Sequence, residues 1–164
     1  MTEQSAGAKR LRPLSSADLP PAMWSAGITV RHGNCDPAGI VYTPEFFHFF
    51  NQAIEAWFCD CLGIDYYDML GRRRVGLGYA EAASAFFTPC MVGEKLMIHV
   101  AVEHVGTKSY SLVLHALKDG TEALRGRFTT VTTSLDTHRA IPIPEDLKAA
   151  LSNYAARARM PDGQ

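Results

Sequence analysis

Neither an excess of charge nor a long apolar run marks this chain, and each shortage excludes a class of protein. Its formal charge is −1, from 16 Lys and Arg against 17 Asp and Glu. So balanced a surface offers no basic field for nucleic acid or an anionic membrane, and neither is expected as a partner. No apolar stretch approaches the roughly 20 residues of a membrane span. Cysteine is sparse, at 35, 59, 61 and 90, with no Cys-x-x-Cys pair and no His at zinc-finger spacing. These read as reduced, mostly packed thiols of a cytoplasmic protein, and no metal site is expected. Cys59 and Cys61, two apart on a predicted helix, face different directions. Cys35 adjoins Asp36 but has no base at a telling spacing, which argues against a nucleophilic thiol. The six His form no cluster. What remains is an ordinary globular composition, 47% hydrophobic and 20% charged over 164 residues, expected to form one domain.

Residues 1–25 are polar and rich in Ala, Ser and Pro, and read as a flexible N-terminal arm ending near Pro20-Pro21. Lys9, Arg10 and Arg12 precede no apolar h-region, so the arm is not a secretory signal. A mitochondrial-type presequence is opposed by Glu3 and Asp18.

Chemistry concentrates in residues 31–44, which join a short strand to an apolar helix. Asp36-Pro37-Ala38-Gly39 is strong turn chemistry, from an Asx turn, a fixed φ and a Gly that accepts positive φ. Thr43-Pro44-Glu45 reads as a helix start, with Thr43 as N-cap and Pro44 at the first helical position. A carboxylate is thus held just ahead of free helix N–H groups, which can bind an anion or an oxyanion. Asp36 serving only as an Asx-turn residue is the competing reading.

The spacing predicts a helix over 45–62, apolar around most of its circumference, with His48, Asn51, Gln52 and Glu55 on one polar side. Gly63 suits its C-terminal cap. A short helix is expected over 65–70, then a basic turn at Gly71-Arg72-Arg73-Arg74. That turn reads as a solvated surface, with phosphate binding as the alternative. Strands are predicted over 75–87, 96–104, 110–116 and 127–135, with a hairpin turn at Asp119-Gly120. A surface helix over 145–158 carries a Leu147, Leu151, Tyr154 stripe. The resulting expectation is α+β: an antiparallel sheet of about five strands wrapped around one long apolar helix, with edges that need a partner.

These residues resemble the 4-hydroxybenzoyl-CoA thioesterase family, which has the hotdog fold. The resemblance rests on Gly33-x-Cys35-Asp36-Pro37-Ala38-Gly39-Ile40-Val41-Tyr42 with Pro44, on Pro89 and Gly93-Glu94, and on Gly106-x-Lys108-Ser109-Tyr110. It covers about residues 26–138. It implies a hotdog domain over 26–140, with 141–164 as a C-terminal helix and tail. It also implies an acyl-CoA thioesterase. Asp36 would attack the thioester carbonyl or activate water, and the backbone N–H of Thr43 would polarise the carbonyl oxygen. Tyr42, Lys108 and Ser109 fall at substrate-binding positions, with Lys108 as an exposed turn lysine the competing reading. The family uses no metal or cofactor, coenzyme A being part of the substrate, and its site lies at a dimer interface. A homodimer or homotetramer is therefore expected. The family frequently has Phe at His32, Asp at Asn34 and an aromatic at Thr43, so a reshaped acyl pocket is implied. Glu81 reads as structural. A hotdog hydroxyacyl-thioester dehydratase using His48, and a non-catalytic acyl-CoA-binding module, are the alternative functions.

Overall fold

The computed structural model describes residues 11–160. Five strands form one antiparallel sheet: β1 (Ser25–Thr29), β2 (Val75–Phe86), β3 (Lys95–Val105), β4 (Ser109–Lys118) and β5 (Thr121–Ser134), in the order β1-β3-β4-β5-β2. The sheet packs on α1 (Thr43–Trp57), which runs on into a π turn over Phe58–Leu62 and ends at Gly63, with φ 68°. Two further helices are α2 (Tyr66–Gly71) and α3 (Glu145–Arg157). This is the expected α+β hotdog architecture. The helix buries Phe46, Phe49, Phe50, Ala53, Ile54 and Trp57. At Gly126 a Cβ would stand 2.7 Å from the Phe50 ring and 2.8 Å from that of Phe128. Only glycine lets the helix seat so closely on β5.

β5 begins six residues before its expected start. Asp119 (φ 49°) and Gly120 (φ 77°) form a two-residue turn of the hairpin type, so pairing resumes at Thr121 with no loop to spend. The residues after it, Glu122 to Gly126, alternate poorly in polarity, which hid them. The basic turn is a set of ion pairs: Arg72 with Asp68, Arg73 with Asp146 and Arg74 with Asp136. Cys90 is buried, Cys35 and Cys61 are partly buried against the core, and only Cys59 is exposed, in keeping with mostly packed thiols.

The flexible-arm reading fails over residues 11–25, while residues 1–10 lie outside the described residues. Leu19 and Met23 are buried, and Ser15 bridges to Thr121. Trp24 donates its N–H to the Tyr154 hydroxyl at 2.9 Å, and that hydroxyl donates to the Val100 carbonyl at 2.5 Å. The same contacts seat α3 through the stripe that the sequence shows, Leu147, Leu151 and Tyr154 all belonging to the common core. Proline and polar content suggested disorder, but a few apolar residues at irregular spacing suffice to pin an extended segment.

A buried polar cluster anchors that segment. Glu122 has no exposed side-chain surface. Its carboxylate accepts from the Leu14 N–H (2.9 Å) and from Arg125 Nε (2.8 Å), and lies 2.7 Å from His115 Nδ1. Burial pushes its pKa up, but Arg125, His115 and the Leu14 N–H outweigh it and bring the pKa down to about 2. The folded pKa lies below the ordinary 4.5. Its contribution is therefore complete above about pH 4.5 and is lost as pH falls towards 2. Glu122→Gln should cost on the order of 3 kcal/mol at pH 7, with the deficit shrinking in acid. Urea unfolding at a series of pH values reads this, and a deficit independent of pH would show that the charge is not its source.

Candidate active site

The loop that carries Asp36 is fixed at both ends. Cys35 and Val41 bridge each other, and Val41 donates to the Cys90 carbonyl at 2.9 Å. Within it Asp36 N–H donates to Ile40 O, and Gly39 N–H to Asp36 O, both at 2.9 Å. Gly39 takes φ 78°, the left-handed conformation that the turn requires. One carboxylate oxygen of Asp36 accepts from the Ala38 N–H at 2.8 Å. The other has no hydrogen bond among the described residues. The Asx turn is therefore real and occupies one oxygen, leaving the second for chemistry.

The helix begins one residue earlier than expected. Tyr42, with φ −62° and ψ 126°, is the N-cap, and Thr43 is already helical with no side-chain cap bond. Pro44 thus stands second in the helix, and it has no N–H. Glu45 N–H turns back to Tyr42 O at 2.8 Å. The Thr43 N–H has no acceptor among the described residues, as the geometry of a helix start dictates. Tyr42 is 56% exposed beside it.

Next to this helix start lies an apolar pocket of about 240 Å³. Ile40, Val41, Thr43 and Phe46 form one side and the run from Phe86 to Cys90 the other. Its far wall is held by two residues whose roles the sequence did not disclose. Glu94 accepts from the Met91 N–H at 2.7 Å, and Lys118 donates to the Pro89 carbonyl at 2.8 Å and to Glu94. The Met91 N–H, with help from Lys118, holds the Glu94 carboxyl below its usual range. Asn34 is a third such residue. It donates to Glu45 Oε2 at 2.7 Å and accepts from the Arg31 N–H at 2.8 Å, tying the loop to the first turn of α1. No spacing rule links residues 34 and 45. The only available sign was the Asn itself, where a second carboxylate would face Glu45.

Not every predicted site residue is brought together. Lys108 and Ser109 sit at the turn after β3, whereas the Asp36 loop contacts Cys90 and Met91 before it. The 11 residues of β3 separate the two ends by roughly 35 Å along the strand. Lys108 is exposed, and its carbonyl accepts from Thr132 N–H and Oγ1. His48 faces a different groove, of about 490 Å³, with Arg31, Asn34, Glu45 and Gln52. Glu81 is exposed on β2, beside a register shift between Tyr79 and Glu81. Among the described residues no group of three or more His, Cys, Asp or Glu is placed to hold a metal ion.

Comparison with known proteins agrees with this fold. A 1,4-dihydroxy-2-naphthoyl-CoA hydrolase of Thermosynechococcus vestitus is 24% identical over 131 residues, spanning 79% of this chain and 89% of that protein. The crystal structure of a thioesterase superfamily protein from Jannaschia sp. CCS1 superposes with a TM-score of 0.76 at 29% identity, covering 82% of this chain and 94% of that one. A 1,4-dihydroxy-2-naphthoyl-CoA thioesterase from Synechocystis shares the fold, with a TM-score of 0.74 at 17% identity over 80% and 96% of the two chains. The match to the family itself spans residues 30–151, from the end of β1 into α3, and this chain belongs to the Thioesterase-like superfamily.

Proposed function

We propose that the chain is an acyl-CoA thioesterase of the 4-hydroxybenzoyl-CoA thioesterase kind, hydrolysing an aryl- or short acyl-CoA to the acid and coenzyme A. One observation carries the reading. A carboxylate with an unoccupied oxygen is held on a clamped loop that runs into a helix start whose Thr43 N–H is unpaired, and that helix start lines an apolar pocket. The thioester carbonyl oxygen would accept from the Thr43 N–H, which stabilises negative charge as it develops. Asp36 would either attack the carbonyl carbon, expelling the CoA thiolate and leaving a mixed anhydride for water to open, or take a proton from attacking water. Tyr42 flanks the helix start and would line the substrate's path. A metal or added cofactor has no part in this scheme, and we place the enzyme in the cytoplasm. No described helix is long and apolar enough to cross a membrane. The test is release of free thiol from a panel of acyl-CoAs. Dehydration or mere binding would release none.

The distance between Asp36 and Lys108 supports a homodimer, or a tetramer built from dimers. β2 is an edge strand with Gly78 to Ala83 exposed and only Glu81 charged among them, an unguarded edge. Gly78 lies in register with Val131, which lies in register with Ser109. The Lys108–Ser109 turn therefore stands near the Val75 end of β2, and the pocket stands at the Phe86 end. Antiparallel pairing of two β2 edges about a two-fold axis would bring Lys108 of the partner subunit towards this chain's Asp36, where it could meet a CoA phosphate. Light scattering should give at least twice the 18.0 kDa of the chain at micromolar concentration. A stable monomer that hydrolyses acyl-CoA would overturn the shared site.

A further inference from the structure

We propose that Asn34 is a positioning residue, which through its bond to Glu45 sets the Asp36 carboxylate against the Thr43 N–H. The proposal rests on the thioesterase reading and adds to it a residue that touches no reacting atom. Residues 34–36 and 40–42 are the two arms of a small hairpin. Tyr42 N–H donates to the Asn34 carbonyl and Asp36 N–H to the Ile40 carbonyl, both at 2.9 Å, on either side of the Cys35–Val41 bridge. The outgoing arm is anchored to its neighbours, Val41 N–H to the Cys90 carbonyl and Ile40 by a bridge to Met91. The incoming arm carries Asp36. Among the described residues one hydrogen bond joins that arm to α1, from Asn34 Nδ2 to Glu45 Oε2 at 2.7 Å. Glu45 shares the first helical turn with Thr43. The bond therefore fixes the angle between the arm that holds the carboxylate and the turn that presents the N–H. A shift of about 1 Å in such a pair can cost about 10²-fold in rate.

The pair needs an amide at residue 34. Its Oδ1 accepts from the Arg31 N–H at 2.8 Å, and its Nδ2 donates to the Glu45 carboxylate. An amide offers an acceptor and a donor side by side. A carboxylate there would keep the first bond and turn the second into a repulsion between two acids. Such a pair holds one proton to a higher pH than either acid alone. With that proton an O–H···O bond restores the tether, and without it the arm and the helix part. Arg31 and His48 are the other titratable side chains of the groove that Asn34 and Glu45 line, and β1 contributes only Gly27, Ile28 and Thr29 to it. Asn34 does not line the apolar pocket beside Thr43, so its loss should act on kcat rather than on KM.

The experiment measures kcat and KM on whichever of benzoyl-, hexanoyl-, 4-hydroxybenzoyl- and 1,4-dihydroxy-2-naphthoyl-CoA the wild type hydrolyses fastest. At about pH 8, Asn34→Asp should lose about 10-fold or more in kcat, with KM within a few-fold. Its kcat relative to wild type should recover as the pH is lowered to about 5, where the paired acids hold a proton. Glu45→Gln alone should cost a few-fold, since an amide oxygen accepts more weakly than a carboxylate. Added to Asn34→Asp, it supplies an N–H for the new carboxylate. The double variant should therefore return to within a few-fold of wild type, with a ratio that no longer changes with pH. Asn34→Ala removes both side-chain bonds without adding charge, and should lose kcat to a similar degree at every pH. Variants at residue 34 that keep wild-type kcat, a loss confined to KM, or a loss that Glu45→Gln does not restore overturns the inference and leaves the thioesterase reading intact. A wild-type chain that releases no thiol from any of the four overturns both.

Discussion

Asp36→Asn is expected to bind acyl-CoA as the wild type does and to hydrolyse it on the order of 10³-fold more slowly, the scale of losing a nucleophile or general base. The substitution keeps what the fold needs. Asn offers a side-chain carbonyl oxygen for the Ala38 N–H, now bonded at 2.8 Å, and is itself at home in such a turn. The bridge between Cys35 and Val41 and the bond from Asp36 N–H to Ile40 O involve backbone alone. Only the charge and the second oxygen change. Thermal unfolding should therefore superpose on wild type, and intact substrate should be seen bound. A folded Asn variant within tenfold of wild-type kcat would reduce Asp36 to a turn residue. The pocket lining holds no carboxylate that could take its place, so the proposed chemistry would go with it.

Thr43→Pro should cost about 10²-fold or more in kcat, as expected for removing one oxyanion donor. The structure makes this a clean deletion. Thr43 is the first helical residue, where Pro is favoured, and Tyr42 before it already has the extended φ −62° and ψ 126° that a residue preceding Pro prefers. The helix should survive, losing a single N–H. Thr43→Ala keeps that N–H. Because the Thr43 side chain caps nothing, the alanine variant should stay within a few-fold of wild type in kcat and match it in stability. Equal losses from the two substitutions would assign the effect to the side chain, which lines the pocket, and would leave the oxyanion without its donor.

Legibility differed between the sheet and the site. Alternation in 96–104 and the Asp119-Gly120 pair disclosed β3 and the β4–β5 hairpin because each is a local rule of side-chain period or positive φ. The aromatic wealth of α1 announced its burial for the same reason. The turn at Asp36 was legible down to its Asx bond. The helix start was misread by one residue, because Thr and Pro suit several capping positions and the choice among them is fixed by Tyr42 pairing back to Asn34 at 2.9 Å. Contacts between distant segments left no local trace. Asn34 with Glu45, Lys118 with Pro89 and Glu122 with Leu14 obey no spacing, since only the closed sheet makes them neighbours. The pocket itself was unreadable for that reason. Its two sides, around residue 43 and over 86–90, lie far apart along the chain and meet through the bridge between Ile40 and Met91, the bond from Val41 to Cys90 and the contact of Phe46 with Phe86.

The fastening of Leu14 to Glu122 has a consequence in time. These two residues are separated by 108 positions, and both a backbone and a side-chain bond join them. The β4–β5 hairpin, by contrast, closes over a two-residue turn. Loop closure over the longer span carries the greater entropy cost, so the hairpin should form early and the strap over it late. Interactions made after the rate-limiting step act on the escape from the native state. Loosening the strap is therefore expected to speed unfolding while leaving the rate of folding almost unchanged. The segment that looked like a loose arm thus becomes a determinant of how long each molecule stays folded.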